Sequence, residues 1–282
     1  MFILSDSKNP RPRVFCVGGF GSDELLRVRM KLSYFFSQRV VSFGFLLACL
    51  VAGLFSSLSA KTAGDVRILI VTGGHGFEES AFFDMFRQIN GVSFTQATFG
   101  SGAEEKLNPA GAKGFDVIVF YDMHQEKEPQ WKGIEQLLRQ GKGMVFLHHS
   151  LWSYDSTWPE YKNILGGRAS SKEQVVPGPS PTSTYKHGQQ VHVHIADNSD
   201  PITKGLHDFD IEDETYNHYW VDPKVHVLLT TDNDTSEHVI AWNHTYKKSR
   251  VVYIELGHGP SAYQSQDYQT LLRQAILWTA KR

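Results

Sequence analysis

Cysteine is nearly missing from this chain: of its 282 residues only Cys16 and Cys49 carry a thiol, and both precede residue 60. Everything after residue 60 therefore has neither a disulfide nor a thiol nucleophile. A basic cluster is missing too. Residues 1–60 hold seven Lys/Arg against three acids, which leaves 21 of the 28 basic and 27 of the 30 acidic residues in the remainder, a net of −6. An acidic body argues against nucleic acid as a partner. No G-x-G-x-x-G pattern occurs, and Thr72-Gly-Gly-His-Gly76 lacks the Lys-Ser/Thr continuation of a phosphate-binding loop, so nothing requires a nucleotide. Neither an internal repeat nor a second domain is visible. With 41% hydrophobic and 21% charged residues the chain is ordinary globular material, able to bury a real core.

The apolar run at residues 40–55 is short for a membrane-spanning helix of about 20 residues. It follows Lys31 and Arg39 and leads into the small-residue stretch Ser57-Leu-Ser-Ala60, so residues 30–60 read as a secretory signal cleaved after Ala60. Residues 1–29, ahead of a plausible start at Met30, read as an upstream extension from a mis-assigned start codon or as disordered. The expected mature protein is residues 61–282, one α/β domain, periplasmic or secreted and free of the membrane once the signal is removed. An uncleaved anchor is the alternative.

All 13 histidines fall after residue 60. The run VRILIV at 66–71 predicts a buried strand, the loop Thr72–Phe77 follows, and residues 80–89 have helical spacing with Phe82, Phe83, Phe86 and Ile89 on one face. Residues 94–99 are a weaker strand; 115–121 and 143–148 are strong ones, separated by a helix over 131–140 that Gly141 ends. Residues 190–195 alternate, which puts His192 and His194 on one face, either as a metal-binding pair or as a solvent-facing edge strand. The acid cluster at 210–216 reads as a solvated loop or as a carboxylate delivered to a site. Residues 225–231 and 238–243 suggest an antiparallel addition, and the strand beginning at Arg250 ends at Gly257-His-Gly-Pro260 before a helix over 267–280. Continuous apolar strands alternating with helices indicate a mostly parallel sheet covered on both faces. Ligands gather at the carboxyl ends of such strands, where His75, the pair His148-His149 and His258 stand. A bland alternative for His258 is a side chain that only hydrogen-bonds its own turn.

The Gly74-His-Gly76 loop, the strand ending in His148-His149, the segment DPITKGL at 200–206, Asp213-Glu214-x-Tyr216 and the Gly257-His258 turn before a Trp278-bearing helix resemble, in order and spacing, the ThuA-like (trehalose utilisation) family over about residues 66–281. The resemblance implies the fold of class I glutamine amidotransferases, a flavodoxin-like three-layer sandwich. It also places the His148-His149 turn where those enzymes carry a nucleophilic Cys, and His258 at the triad histidine. No Cys is available, so glutaminase chemistry is excluded; Ser150 lacks a G-x-S-x-G setting.

Convergent imidazoles and a carboxylate without a thiol suit two uses. They form a set for a divalent metal such as zinc, with His75, His149, Glu214 and His258 as candidate ligands, or they act as a metal-free general acid and base. The family implies a carbohydrate or keto-sugar as the small-molecule partner. The expected function is an exported hydrolase or isomerase on a glycoside or keto-sugar, with His258, His149 and Glu214 catalytic and Gly74, His75, His148, Trp152 and Tyr216 binding substrate. Trp158, Trp220 and Tyr263 are further aromatic candidates for stacking on sugar faces. The alternative is a non-catalytic carbohydrate-binding relative. Paired-carboxylate glycosidase chemistry fits poorly, because Asp213 and Glu214 are neighbours.

Overall fold

The computed structural model describes residues 64–282 apart from 125–129, 155–156, 172–173, 177 and 181. The signal segment and the upstream extension lie outside the described residues. Nine strands form the main sheet: β1 (Val66–Gly73), β2 (Val92–Thr98), β3 (Val117–Asp122), β4 (Gly143–Leu147), β5 (Thr184–Ile195), β6 (Phe209–Asn217), β7 (His226–Thr231), β8 (Val239–Tyr246) and β9 (Ser249–Ile254). Their spatial order is β2-β1-β3-β4-β9-β8-β7-β5-β6. The first five pair in parallel, in the doubly wound order of flavodoxin-like sheets. The other four pair antiparallel, β9 joining the two halves. The α/β class and the parallel core are those the sequence indicates. The antiparallel addition is larger, because the acid cluster is not a solvated loop but the strand β6.

Strands β3 and β4 are buried along their whole length, which only side chains apolar on both faces allow. Alternation then sorts them between two cores. Ile68, Ile70, Val119, Val145, Val252 and Ile254 face Phe82 and Phe86 of the helix Glu79–Gln88 and Leu272 and Ile276 of the helix Gln266–Thr279. Leu69, Val71, Ile118, Phe120, Met144 and Tyr253 face Leu137 and Leu138 of the helix Gln130–Gln140 and Ile164 of the helix Tyr161–Leu165. Two cores either side of one sheet make the three layers.

The antiparallel half is different: Val191, Val193, Phe209, Ile211 and Leu229 join the first core, while His192, Asp210 and Glu212 face water. His192 and His194 thus lie on an exposed face, but β5 is second from the edge and β6 is the edge. The C-terminal helix expected over 267–280 is Gln266–Thr279, capped by the Ser265 hydroxyl accepting from the Tyr268 N–H, and a further short helix, Pro260–Gln264, precedes it.

Candidate functional site

At the end of β4 the chain turns sharply into a 3-10 turn, His148–Trp152. His148 has φ +49, a left-handed conformation that non-glycine residues seldom hold. Its carbonyl accepts from the Tyr253 hydroxyl at 3.0 Å, which helps fix that geometry. The ring is anchored as well: Nδ1 donates to the Glu255 carbonyl at 2.7 Å. Nε2 is the ring nitrogen left facing the site.

The edge strand β6 delivers the carboxylate. Asp213 and Glu214 are buried neighbours with separate tasks. Asp213 accepts the backbone N–H groups of Gly257 at 2.7 Å and His258 at 2.9 Å, and so holds the turn that carries His258. Tyr121 grips the same turn by donating to the Gly257 carbonyl at 2.9 Å, and the Tyr263 hydroxyl reaches the His258 carbonyl at 3.1 Å. Gly257 has φ +118, and a Cβ there would stand 2.3 Å from the Tyr268 hydroxyl, so the turn accepts only glycine.

Glu214 Oε2 lies 3.0 Å from His148 Nε2 and 3.2 Å from His258 Nδ1, and the two ring nitrogens are 3.0 Å apart. Burial would raise the Glu214 pKa, but the hydrogen bonds and charges of His148 and His258 outweigh it and hold the carboxyl well below its usual range. The hydrogen bond to Glu214 in turn raises His258 against a smaller opposing effect of burial. Tyr216, also on β6, brings its hydroxyl to 2.7 Å from His148 Nε2; burial and then the Glu214 charge push its pKa well up, so it remains a donor.

His187 is a partner that sequence reasoning did not single out. The β5–β6 register shifts between Lys186 and Gln189. Gly188 within this bulge has φ +62. Bulges re-aim side chains, and this one sends the His187 ring, 62% exposed, to Glu214 Oε1 at 2.8 Å and against the His258 ring at 4.8 Å. Glu214 thus faces three imidazoles, two on Oε2 and one on Oε1.

The structure brings His258, Glu214 and His148 together. His149, adjacent in sequence, points elsewhere: its ring packs 4.7 Å from His75 and 4.3 Å from Tyr121. Burial holds its pKa well below the ordinary histidine value, and among the described residues neither of its buried ring nitrogens has a hydrogen-bond partner. His75 is exposed above it, on a loop where Gly74, φ +79, passes so close to Met123 that a Cβ would meet its carbonyl at 2.2 Å. Trp152 and Trp158 are buried in the core, and Tyr216 and Tyr263 are buried with their hydroxyls directed at the cluster and the His258 turn; Trp220 is 42% exposed. Ser150 is fully buried and bonded to Phe120 and Asp122, which leaves it no nucleophile's freedom.

Three ligand atoms, one each from His148, Glu214 and His258, fall within 4.8 Å of one another. With His148 Nδ1–H committed to Glu255, three lone-pair atoms at mutual distances of 3.0–3.2 Å need a proton or a cation among them. Bonds of 2.0–2.1 Å to a tetrahedral zinc ion would set such atoms about 3.3 Å apart. The backbone carbonyl behind His148 is also the outer-shell partner usual for metal-bound histidine. A divalent ion fits these residues.

A model of the ThuA family, described as trehalose utilisation, matches residues 67–279. A ThuA-like protein of Parabacteroides merdae superposes with TM-score 0.63 at 17% identity, over 77% of this chain and 90% of that one. One of Bacteroides uniformis gives 0.60 at 20%, over 77% and 92%. A cytoplasmic protein of Salmonella typhimurium gives 0.54 at 12%, over 76% and 99%. Comparison with curated proteins finds no match.

Proposed function

The chain belongs to the ThuA family of trehalose utilisation, and from that premise we propose that it is an exported enzyme of sugar metabolism, moving protons or water on a glycoside or keto-sugar at the His148–Glu214–His258 cluster. The observation that carries this reading is the set of three convergent lone-pair atoms at the carboxyl edge of the parallel sheet, with His258 31% exposed above the buried Glu214. His148 Nε2, His258 Nδ1 and Glu214 Oε2 would hold a divalent metal. Such an ion supplies Lewis acidity and lowers the pKa of a bound water to about 7. Without an ion the same groups would serve as a general acid and base: Glu214, kept ionised by its histidines, takes a proton from a sugar C–H or hydroxyl, and His258, with its raised pKa, returns one to the developing oxyanion or leaving group. Tyr216 donates toward the same point, while Asp213 holds the His258 backbone in place.

Metal content and turnover test this together. Purified wild type should retain or take up a stoichiometric divalent metal that His148→Ala and His258→Ala lose, and should turn over trehalose or a 3-keto-glycoside only when wild type at those positions. Sugar binding that survives in His258→Ala, with no turnover by wild type on any glycoside or 3-keto-glycoside, would favour a carbohydrate-binding relative without catalysis.

Export rests on residues 30–60. Among the described residues no helix is long and apolar enough to cross a membrane. N-terminal sequencing of the protein from its native compartment should begin at Lys61; an intact Met1 in the periplasm would overturn the export reading.

A further inference from the structure

The outer face of the antiparallel half carries a second group of histidines and acids, separate in residues from the buried cluster. His192 and His194 are alternate residues of β5, so both rings leave the same side of the sheet, and their centroids are 4.7 Å apart. Each ring is held through Nδ1 by its own carboxylate, His192 by Asp210 at 2.6 Å and His194 by Asp208 at 3.1 Å. Asp210 stands directly across the ladder from His192. Asp208 is also fixed, its other oxygen accepting the Ile195 N–H at 2.9 Å. A carboxylate on Nδ1 sets the tautomer and leaves Nε2 as a basic lone pair, the outer-shell pattern of metal-bound histidine.

A third donor stands on the open side. Asp232, 79% exposed, places Oδ2 at 3.5 Å from His194 Nε2. One ring nitrogen of His192, one of His194 and a carboxylate oxygen of Asp208 lie within 4.8 Å of one another. Two imidazoles and a carboxylate with water filling the other positions suit borderline dications, where copper binds more tightly than zinc, and do not suit calcium or magnesium. Simple surface pairing of His with Asp accounts for the two Nδ1 contacts. It does not account for a ring nitrogen of His192, a residue already paired with Asp210, standing within 4.8 Å of ligand atoms of both His194 and Asp208.

We propose that His192 and His194, with the Asp208 carboxylate that converges on them and Asp232 beside His194 Nε2, form a surface site for a divalent transition-metal ion of the zinc–copper class, backed by Asp210 behind His192 and independent of the buried cluster.

Equilibrium dialysis of the full chain against zinc ion, with bound metal quantified, tests it. His192→Ala/His194→Ala should lose one equivalent, and His148→Ala/His258→Ala should leave that equivalent in place whatever happens at the buried cluster. Asp210→Asn, which removes only the carboxylate behind His192, should weaken this equivalent by about tenfold or more. His226→Ala, a histidine on β7 paired with Asp197, should change nothing. The exposed positions leave the fold intact, which matching circular dichroism spectra would verify. Zinc binding unchanged in the double variant, or lowered as much by His226→Ala as by the pair, would overturn the site.

Discussion

Glu214→Gln is expected to keep the fold and to lower turnover of a keto-glycoside by about 10²–10⁴-fold, the range lost with a general acid or base. The amide fills the same space but carries no charge and takes no proton. It also presents only one acceptor oxygen to His148, His258 and His187, where the carboxylate serves all three. Two readouts separate a catalytic loss from damage to the site. Nuclear magnetic resonance should show the His258 titration falling back toward the ordinary histidine value, since its hydrogen bond to Glu214 is what raises it. Metal affinity should fall with it. Turnover within about twofold of wild type and an unmoved His258 would remove Glu214 from the chemistry.

The second large effect concerns stability against pH. Glu255 follows β9, is 1% exposed, and burial pushes its pKa up to about 8, against partial offsets from Tyr219, Tyr216 and Ser236. The count of protons agrees. The Tyr219 hydroxyl touches both the Val239 carbonyl and Glu255 Oε2, yet it has one proton, so one of the two contacts needs a proton from Glu255 itself. Asp122, at the end of β3, is likewise raised by burial, to about 7, with Ser153 and Ser150 offsetting part.

Both folded-state values exceed the unfolded ones, so between them the native state binds more protons than the unfolded chain. Their contribution is fully present below about pH 4, is lost progressively as pH rises, and is gone above about pH 8. The depressed Glu214 acts in the opposite sense, its contribution present above 4.5 and lost in acid. The melting temperature should therefore be higher near pH 5 than near pH 9. Glu255→Gln should flatten that slope and raise the melting temperature at the alkaline end. A wild-type melting temperature that rises steadily from pH 5 to 9 would show both acids to be ionised in the fold.

Much of this architecture is legible in the sequence because strands buried on both faces must be apolar throughout, and the runs ending at residues 71, 121, 147 and 254 are. The carboxyl-end rule then selects His75, His148-His149 and His258 by their place directly after those runs. Three features are not legible, each for a physical reason. In a turn, two adjacent histidines point in different directions, and the apolar run before them gives no sign of which one reaches Glu214 or that His148 takes a positive φ. The segment at 210–216 is acidic enough to look solvated, yet Ile211 and Phe209 give it an inward face, and Asp213 and Glu214 are buried because backbone N–H groups and imidazoles receive them. His187 reaches the site only through a bulge, a local change of register with no compositional signature beyond the glycine beside it. Glu255 left one signal that could be used: an acid embedded in the apolar run VVYIEL, which a buried strand tolerates only when the carboxyl is protonated or fully bonded.

Strand β9 is the last to be made and lies in the middle of the sheet, between β4 and β8. Without it, β4 and β8 would each keep an unpaired inner edge of mostly buried residues. Bare edges of that kind recruit strands from other molecules, and long-range pairings form slowly. One strand thus closes both inner edges of the sheet and, through the turn that follows it, brings His258 to Glu214.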